Sequence, residues 1–206
     1  MFSSASFEEN ENSPSGSVTL TDETGRSLEC YVERTLFVED REYLLLLPVD
    51  AAIEIFAWQS NGEDEDGIDR TFSTSNGEDE EAVPVEDDPT IDRIFSTAEA
   101  VLAEQNLILK RTAFALTVAG ELPPVEDTEL FTLEIEDETA QLEPEQLQLL
   151  ANFYYEEREY SIYTPLDPLL FFARLNSSGK PELLSPEEFQ KVQPLLAEHL
   201  FDELEE

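Results

Sequence analysis

The chain has 206 residues, 40% of them hydrophobic and 13 of them Phe, which supplies apolar side chains for one ordinary domain or two small ones. Its 49 Asp and Glu stand against 11 Lys and Arg, a formal charge of -38. Nucleic-acid binding needs clustered cations to neutralise phosphates, and an anionic membrane surface repels such a chain, so the composition argues against both as direct partners. The partner class this field attracts is a basic protein or the cationic face of an assembly. Cys30 is the single cysteine, so no intrachain disulfide forms and a reducing, cytoplasmic setting is expected. The first residues lack a basic and an apolar targeting region, and no apolar run approaches membrane-spanning length.

Residues 1–16 are small, polar and acidic and are expected to form a disordered tail. Residues 17–59 read as an N-terminal β module of about four strands in a meander. Val18 and Leu20 alternate, Asp22-Glu23-Thr24-Gly25 supplies a turn, and Leu28, Cys30 and Val32 resume the alternation. Tyr43 to Leu47 is a continuous apolar run that Pro48 ends, and in Ala51 to Trp58 the residues Ile53 and Ile55 take one side, Phe56 and Trp58 the other. Residues 60–88 are acidic and poor in apolar side chains, the composition of a disordered linker; Ile68 to Thr74 there resembles Ile91 to Thr97.

Residues 89–206 read as a C-terminal α+β domain. Asp88 as N-cap and Pro89 at the first helical position precede Ile91, Ile94, Phe95, Ala98, Val101 and Leu102 at helical spacing, a helix to about Gln105. Leu107 to Ala119 is expected as one long strand, and Phe131, Leu133 and Ile135 as another. Glu143 to Tyr155 is expected to begin as a helical turn and lead into a strand. Strands follow at Tyr160 to Tyr163 and Leu169 to Leu175, closed by Asn176-Ser177-Ser178-Gly179. Ser185-Pro186-Glu187-Glu188 is a capping box before the stripe Phe189, Val192, Leu196 and Leu200, and Pro194 is expected to kink or split that helix.

One stretch returns. Val38 to Asp50 reappears 117 positions later as Tyr155 to Asp167: an acidic pair, then Arg41-Glu42-Tyr43 and Pro48-x-Asp50 against Arg158-Glu159-Tyr160 and Pro165-x-Asp167. Asp-Glu-Thr (22 to 24; 137 to 139), Phe-Ala (56 and 57; 172 and 173) and an Asn/Ser/Gly turn recur in the same order at offsets of 115 to 117. The fold class expected is α+β, two related small antiparallel β modules from an internal duplication, the second with a preceding helix and a C-terminal helix. Tyr43 and Tyr160 should then hold equivalent positions on superposable strands.

Val18 to Asp50, with its Asp-Glu-Thr-Gly turn and Glu-Tyr-Leu-Leu-Leu-Leu-Pro-Val-Asp, resembles the YrzB-like family, a small acidic domain of unknown function in Firmicutes and cyanobacteria. The part from about Pro89 to Glu206, with Tyr-Thr-Pro-Leu-Asp-Pro-Leu-Leu-Phe, is similar to an uncharacterised domain of cyanobacterial and plastid proteins. The resemblance implies a cyanobacterial setting and brings no catalytic residues.

No residue pattern points to catalysis, a cofactor or a metal. A single histidine, His199, and a single cysteine leave no Cys/His zinc set, and His199 at helical spacing from Leu195 and Leu196 reads as bordering a packed face. Cys30 reads as a buried small hydrophobe. An EF-hand loop built on Gly67 would need carboxylates at Gly62 and Ser73, and the match fails. Asp50 and Asp167 read as turn residues rather than an acid/base pair, and Arg41 and Arg158 as ion-pair partners of neighbouring acids. The function expected is a non-enzymatic interaction or assembly factor for a basic partner. A nucleic-acid mimic is the first alternative; a carboxylate-dependent hydrolase is the second, which convergent carboxylates of raised pKa would favour.

Overall fold

The computed structural model describes residues 16–38, 41–60, 80–126, 130–133 and 145–202. The expected tail apart from Gly16, most of the expected linker with its Ile68 to Thr74 repeat and Phe72, and the Asp137-Glu138-Thr139 triplet lie outside the described residues, as does the side chain of His199.

In chain order the elements are β1 (Ser17–Thr21), β2 (Ser27–Val38), β3 (Arg41–Pro48), β4 (Ala51–Ser60), β5 (Glu80–Pro84) and α1 (Asp88–Ala103). Then come β6 (Ile108–Arg111), β7 (Leu116–Ala119), β8 (Leu130–Leu133), β9 (Glu145–Tyr155), β10 (Arg158–Pro165), β11 (Phe171–Leu175), β12 (Pro181–Leu183) and α2 (Pro186–Asp202). The protein is α+β, and every described strand pair is antiparallel.

The chain forms two compact units, and they do not follow the expected division at residues 59 and 89. Among the described residues, one comprises those within 1–49, 112–114 and 169–206, the other those within 50–111 and 115–168. The first holds a sheet in the order β1-β2-β3-β11-β12. The second holds β6-β7-β4-β10-β9-β8, with β5 also on β4. The expected four-stranded meander is therefore corrected: β4 leaves the sheet of β1 to β3 and pairs with β10, while β11 takes the place beside β3. Side-chain alternation specifies which face of a strand is buried and says nothing about which edge it joins.

The two sheets repeat one another in register. Arg41 of β3 opposes Val38 and Pro48 opposes Cys30; 117 positions on, Arg158 opposes Tyr155 and Pro165 opposes Leu147. Both hairpins step register at the same place, passing over Glu33 in β2 and over Leu150 in β9. Leu46 opposes Phe171, and Tyr163 opposes Glu54, again 117 apart. Even the crossings match, with Val49 N–H donating to the Glu29 carbonyl at 2.9 Å and Leu166 N–H to that of Gln146 at 2.9 Å. This register equates Phe56 with Ala173, so the Phe-Ala correspondence read at an offset of 116 is one residue out.

Helices cover one face of each sheet. Ile94, Ala98 and Leu102 of α1 pack on Ile55, Phe153, Tyr160 and Ile162; Phe189 and Val192 of α2 pack on Leu36, Tyr43 and Phe172. Burying a side chain of this size stabilises by about 1.5–3 kcal/mol, which is why the apolar stripe of each helix decides where it docks. On the opposite faces, Leu20, Leu28, Cys30 and Leu46 form one cluster and Phe56, Leu147 and Tyr163 another.

Four local expectations are also corrected. Glu80–Pro84, assigned to linker, is strand β5, held on the edge of β4 despite its acids. Leu107 to Ala119 is a hairpin: the chain breaks at 112–115, where Ala113 N–H donates to the Ser27 carbonyl at 3.4 Å and Phe114 takes φ +66°. Residues from Glu145 onward are strand, with no helical turn; Gln148, a helix-favouring residue, is buried and donates to the carbonyls of Pro123 and Pro124. Finally, α2 is one helix across Pro194, so of the expected kink or split the split does not occur.

Candidate functional site

The repeated motif sits at matching places. Arg41-Glu42-Tyr43 opens β3 and Arg158-Glu159-Tyr160 opens β10. Tyr43 and Tyr160 are both buried at the third position, opposite Leu36 and Phe153. Tyr160 stacks on Phe153 with ring centroids 5.2 Å apart. Glu42 opposes Phe37, and Glu159 opposes Tyr154, whose hydroxyl donates to Glu159 Oε2 at 2.6 Å. Pro48 and Pro165 end their strands, and the next residues carry the chain from one sheet to the other.

The paired aspartates do not form an acid/base couple. Asp50 holds the Lys110 ammonium at 2.7 Å, whereas Asp167 acts on Glu145. Arg41 helps hold Glu188 below the usual carboxylate range, although the backbone hydrogen bond from Ser185 is the larger cause. That bond belongs to the capping box read from the sequence, with Glu188 N–H donating to Ser185 Oγ at 3.3 Å in return.

A second group of acids interacts around Glu54 and Glu145, of which sequence reasoning had weighed Asp167 alone. In β4, Glu54 shares the Phe56 and Trp58 side of the strand and lies directly opposite Tyr163. Burial, then the neighbouring carboxylates of Glu145 and Glu86, push the Glu54 carboxyl above its ordinary 4.5. Burial and Asp167 do the same to Glu145. In the other unit the register-equivalent positions are Phe171 and Leu28, both packed in an apolar cluster. Acids therefore stand in one sheet where hydrophobes stand in the other. The sequence signal was the repeat itself: aligning the copies at 117 sets Glu54 against Phe171 and Glu145 against Leu28.

Other charges are structural. Asp22 accepts from the Thr24 and Arg26 N–H groups and from the Arg26 guanidinium; these bonds outweigh desolvation and lower its carboxyl to about 2. Arg111 spans Asp88, at 2.6 Å, and Asp92, tying β6 to the first turns of α1. Cys30 is fully buried, and burial followed by the charge of Glu29 pushes its thiol up to about 11, which keeps it protonated and unreactive. Among the described residues, no three His, Cys, Asp or Glu side chains are placed to hold a metal ion, and no helix is long and apolar enough to cross a membrane.

Two family models match the chain, both described as proteins of unknown function: DUF1292 over residues 23–103 and DUF3727 over residues 106–203. Their boundary falls just after α1 and does not coincide with the division between the compact units. Among curated relatives, a UPF0473 protein of Clostridium botulinum (strain Loch Maree / Type A3) is 33% identical over 88 residues, 43% of this chain and 91% of the relative. A UPF0473 protein of Alkaliphilus oremlandii (strain OhILAs) is 32% identical over 88 residues, again 43% and 91%. No solved structure matches.

Proposed function

Because the chain belongs to the UPF0473 protein family, a name that carries no activity, we propose from its chemistry that it is a non-enzymatic interaction or assembly factor whose electronegative surface engages a basic protein. The observation that carries this reading is the charge of -38 together with where the charge resides. The fully buried polar side chains among the described residues are Thr117, Gln148, Ser161 and Thr164, none of them ionisable near neutral pH, so the described acids are exposed or, like Glu54 and Glu145, half-buried. Such a surface speeds and orients encounter with a cationic partner and is screened by salt. The buried, protonated Cys30 suits a reducing cytoplasm, and the resemblance of the C-terminal part suits a cyanobacterial or plastid setting.

The reading includes the origin of the fold. The chain is an internal duplication in which β1 to β5 with α1 correspond to β8 to β12 with α2, each copy giving its last two strands and helix to the sheet begun by the other. The coincident registers support this, and so do the equivalent places of Tyr43 and Tyr160.

A pull-down from native lysate at low salt, eluted with a salt gradient, tests the function. A basic partner should be retained and should leave steeply as salt rises; retention of nothing at the lowest salt removes the reading. The carboxylate-dependent hydrolase is favoured by one observation, the raised pKa of Glu54 and Glu145 beside Glu86 and Asp167. It requires a hydrolytic activity of the purified chain that both Glu54→Gln and Glu145→Gln abolish.

A further inference from the structure

Two exposed aromatic side chains occupy the same place in the two sheets. Phe37 near the end of β2 and Tyr154 near the end of β9 lie 117 positions apart and are each 67% exposed. Each is directly opposite a glutamate, Glu42 and Glu159, so ring and carboxylate share the face of the hairpin turned away from the buried Leu36–Tyr43 and Phe153–Tyr160 pairs. An acidic pair follows each in sequence, Glu39-Asp40 and Glu156-Glu157. The second pair forms its turn with φ +48° and +67°, the left-handed conformation for which Asn-Gly is the favoured sequence.

We propose that these two hairpin ends are equivalent docking points for arginine side chains of a basic protein segment. The proposal rests on the acidic-surface reading above and gives it a location. A guanidinium laid on the ring meets the negative face of the aromatic quadrupole, and its N–H fork reaches the opposed carboxylate. Charge complementarity selects the occupant, because a chain of net charge -38 repels acidic segments and an apolar segment would desolvate the carboxylates of Glu42 and Glu159 with no cation to offset the loss.

The test is a titration of the full chain, isotopically labelled, with a nona-arginine peptide at several salt concentrations, following backbone amide signals. The expected result is parallel movement of the signals at 37 and 42 and at 154 and 159. Phe37→Ala should weaken binding about two- to fivefold at its own hairpin and leave the other as it was; Tyr154→Ala should do the converse, and Tyr154→Phe should keep binding. Phe37 and Tyr154 are largely exposed, so truncating either removes little buried area. Binding whose signals move only elsewhere, or that ignores both alanine variants, overturns the docking points and leaves the acidic-surface reading standing. No binding at the lowest salt overturns both.

Discussion

At Glu54 the two sheets differ in chemistry, since the equivalent position of the other sheet holds the packed Phe171. The folded-state pKa of Glu54 lies above 4.5, so the native protein holds that proton more tightly than the unfolded chain. The stability so contributed is fully present below 4.5 and is lost as pH rises through the folded value; Glu145 acts in the same sense. Asp22 acts oppositely: its contribution is present above 3.8 and is lost as pH falls toward about 2. Urea midpoints should therefore rise as pH is lowered from neutral toward 4.5 and fall again below 3.8. Glu54→Gln should raise the midpoint at neutral pH, with the gain disappearing near 4.5, and an unchanged neutral midpoint would remove burial of charge as the cause. Gly120 presents a backbone constraint of another kind. At φ +126° a Cβ there would lie 2.8 Å from the Asn106 carbonyl oxygen, so Gly120→Ala should cost more than about 1 kcal/mol in equilibrium unfolding. Burial of Cys30 could be read from its alternation with Leu28 and Val32, whereas that of Glu54 could not, because one strand does not reveal that its outer face is covered.

Helix α1 shows how far local rules reach. Its apolar stripe and its Pro were legible, and the start was read one residue late: Asp87, not Asp88, caps the helix, accepting from Thr90 N–H at 2.9 Å. Asp88 instead pairs with Arg111, a tertiary contact that no capping rule contains. Asp87→Ala should cost about 1 kcal/mol and Leu102→Ala, fully buried beneath the helix, about 2–5 kcal/mol, both read from denaturant midpoints. A smaller loss for Leu102→Ala would mean that the site collapses around the deletion. The strands missed by sequence reasoning were those whose pairing depends on another element. β5 carries Glu80-Glu81 and looks solvated until the edge of β4 is available, and the break between β6 and β7 follows from Ala113 entering the Leu28 and Leu46 cluster.

At the scale of the whole molecule, the repeat was legible as Arg-Glu-Tyr and Pro-x-Asp, but its meaning was not. Both Pro-x-Asp segments read as ordinary strand-ending turns; both are the points where the chain changes sheets. A hairpin return and a crossing carry the same turn residues, and only the edge on which the next strand lands separates them. If the sheets are built by exchange, a protease site inserted among residues 121–126 should, once cut, leave two fragments that elute together under native conditions and separate in denaturant. Separation without denaturant would show that each stretch completes its own sheet.

The crossings at Val49 and Leu166 also decide how assembly depends on protein concentration. Each sheet takes strands from two stretches of chain that are far apart in sequence, so separate polypeptides would complete their sheets only by a bimolecular encounter, with a stability that falls on dilution. Joining both stretches in one chain turns that encounter into an intramolecular step at a fixed effective concentration. The unfolding midpoint of the intact protein should stay constant over a hundredfold dilution, and that of the cleaved pair should drop.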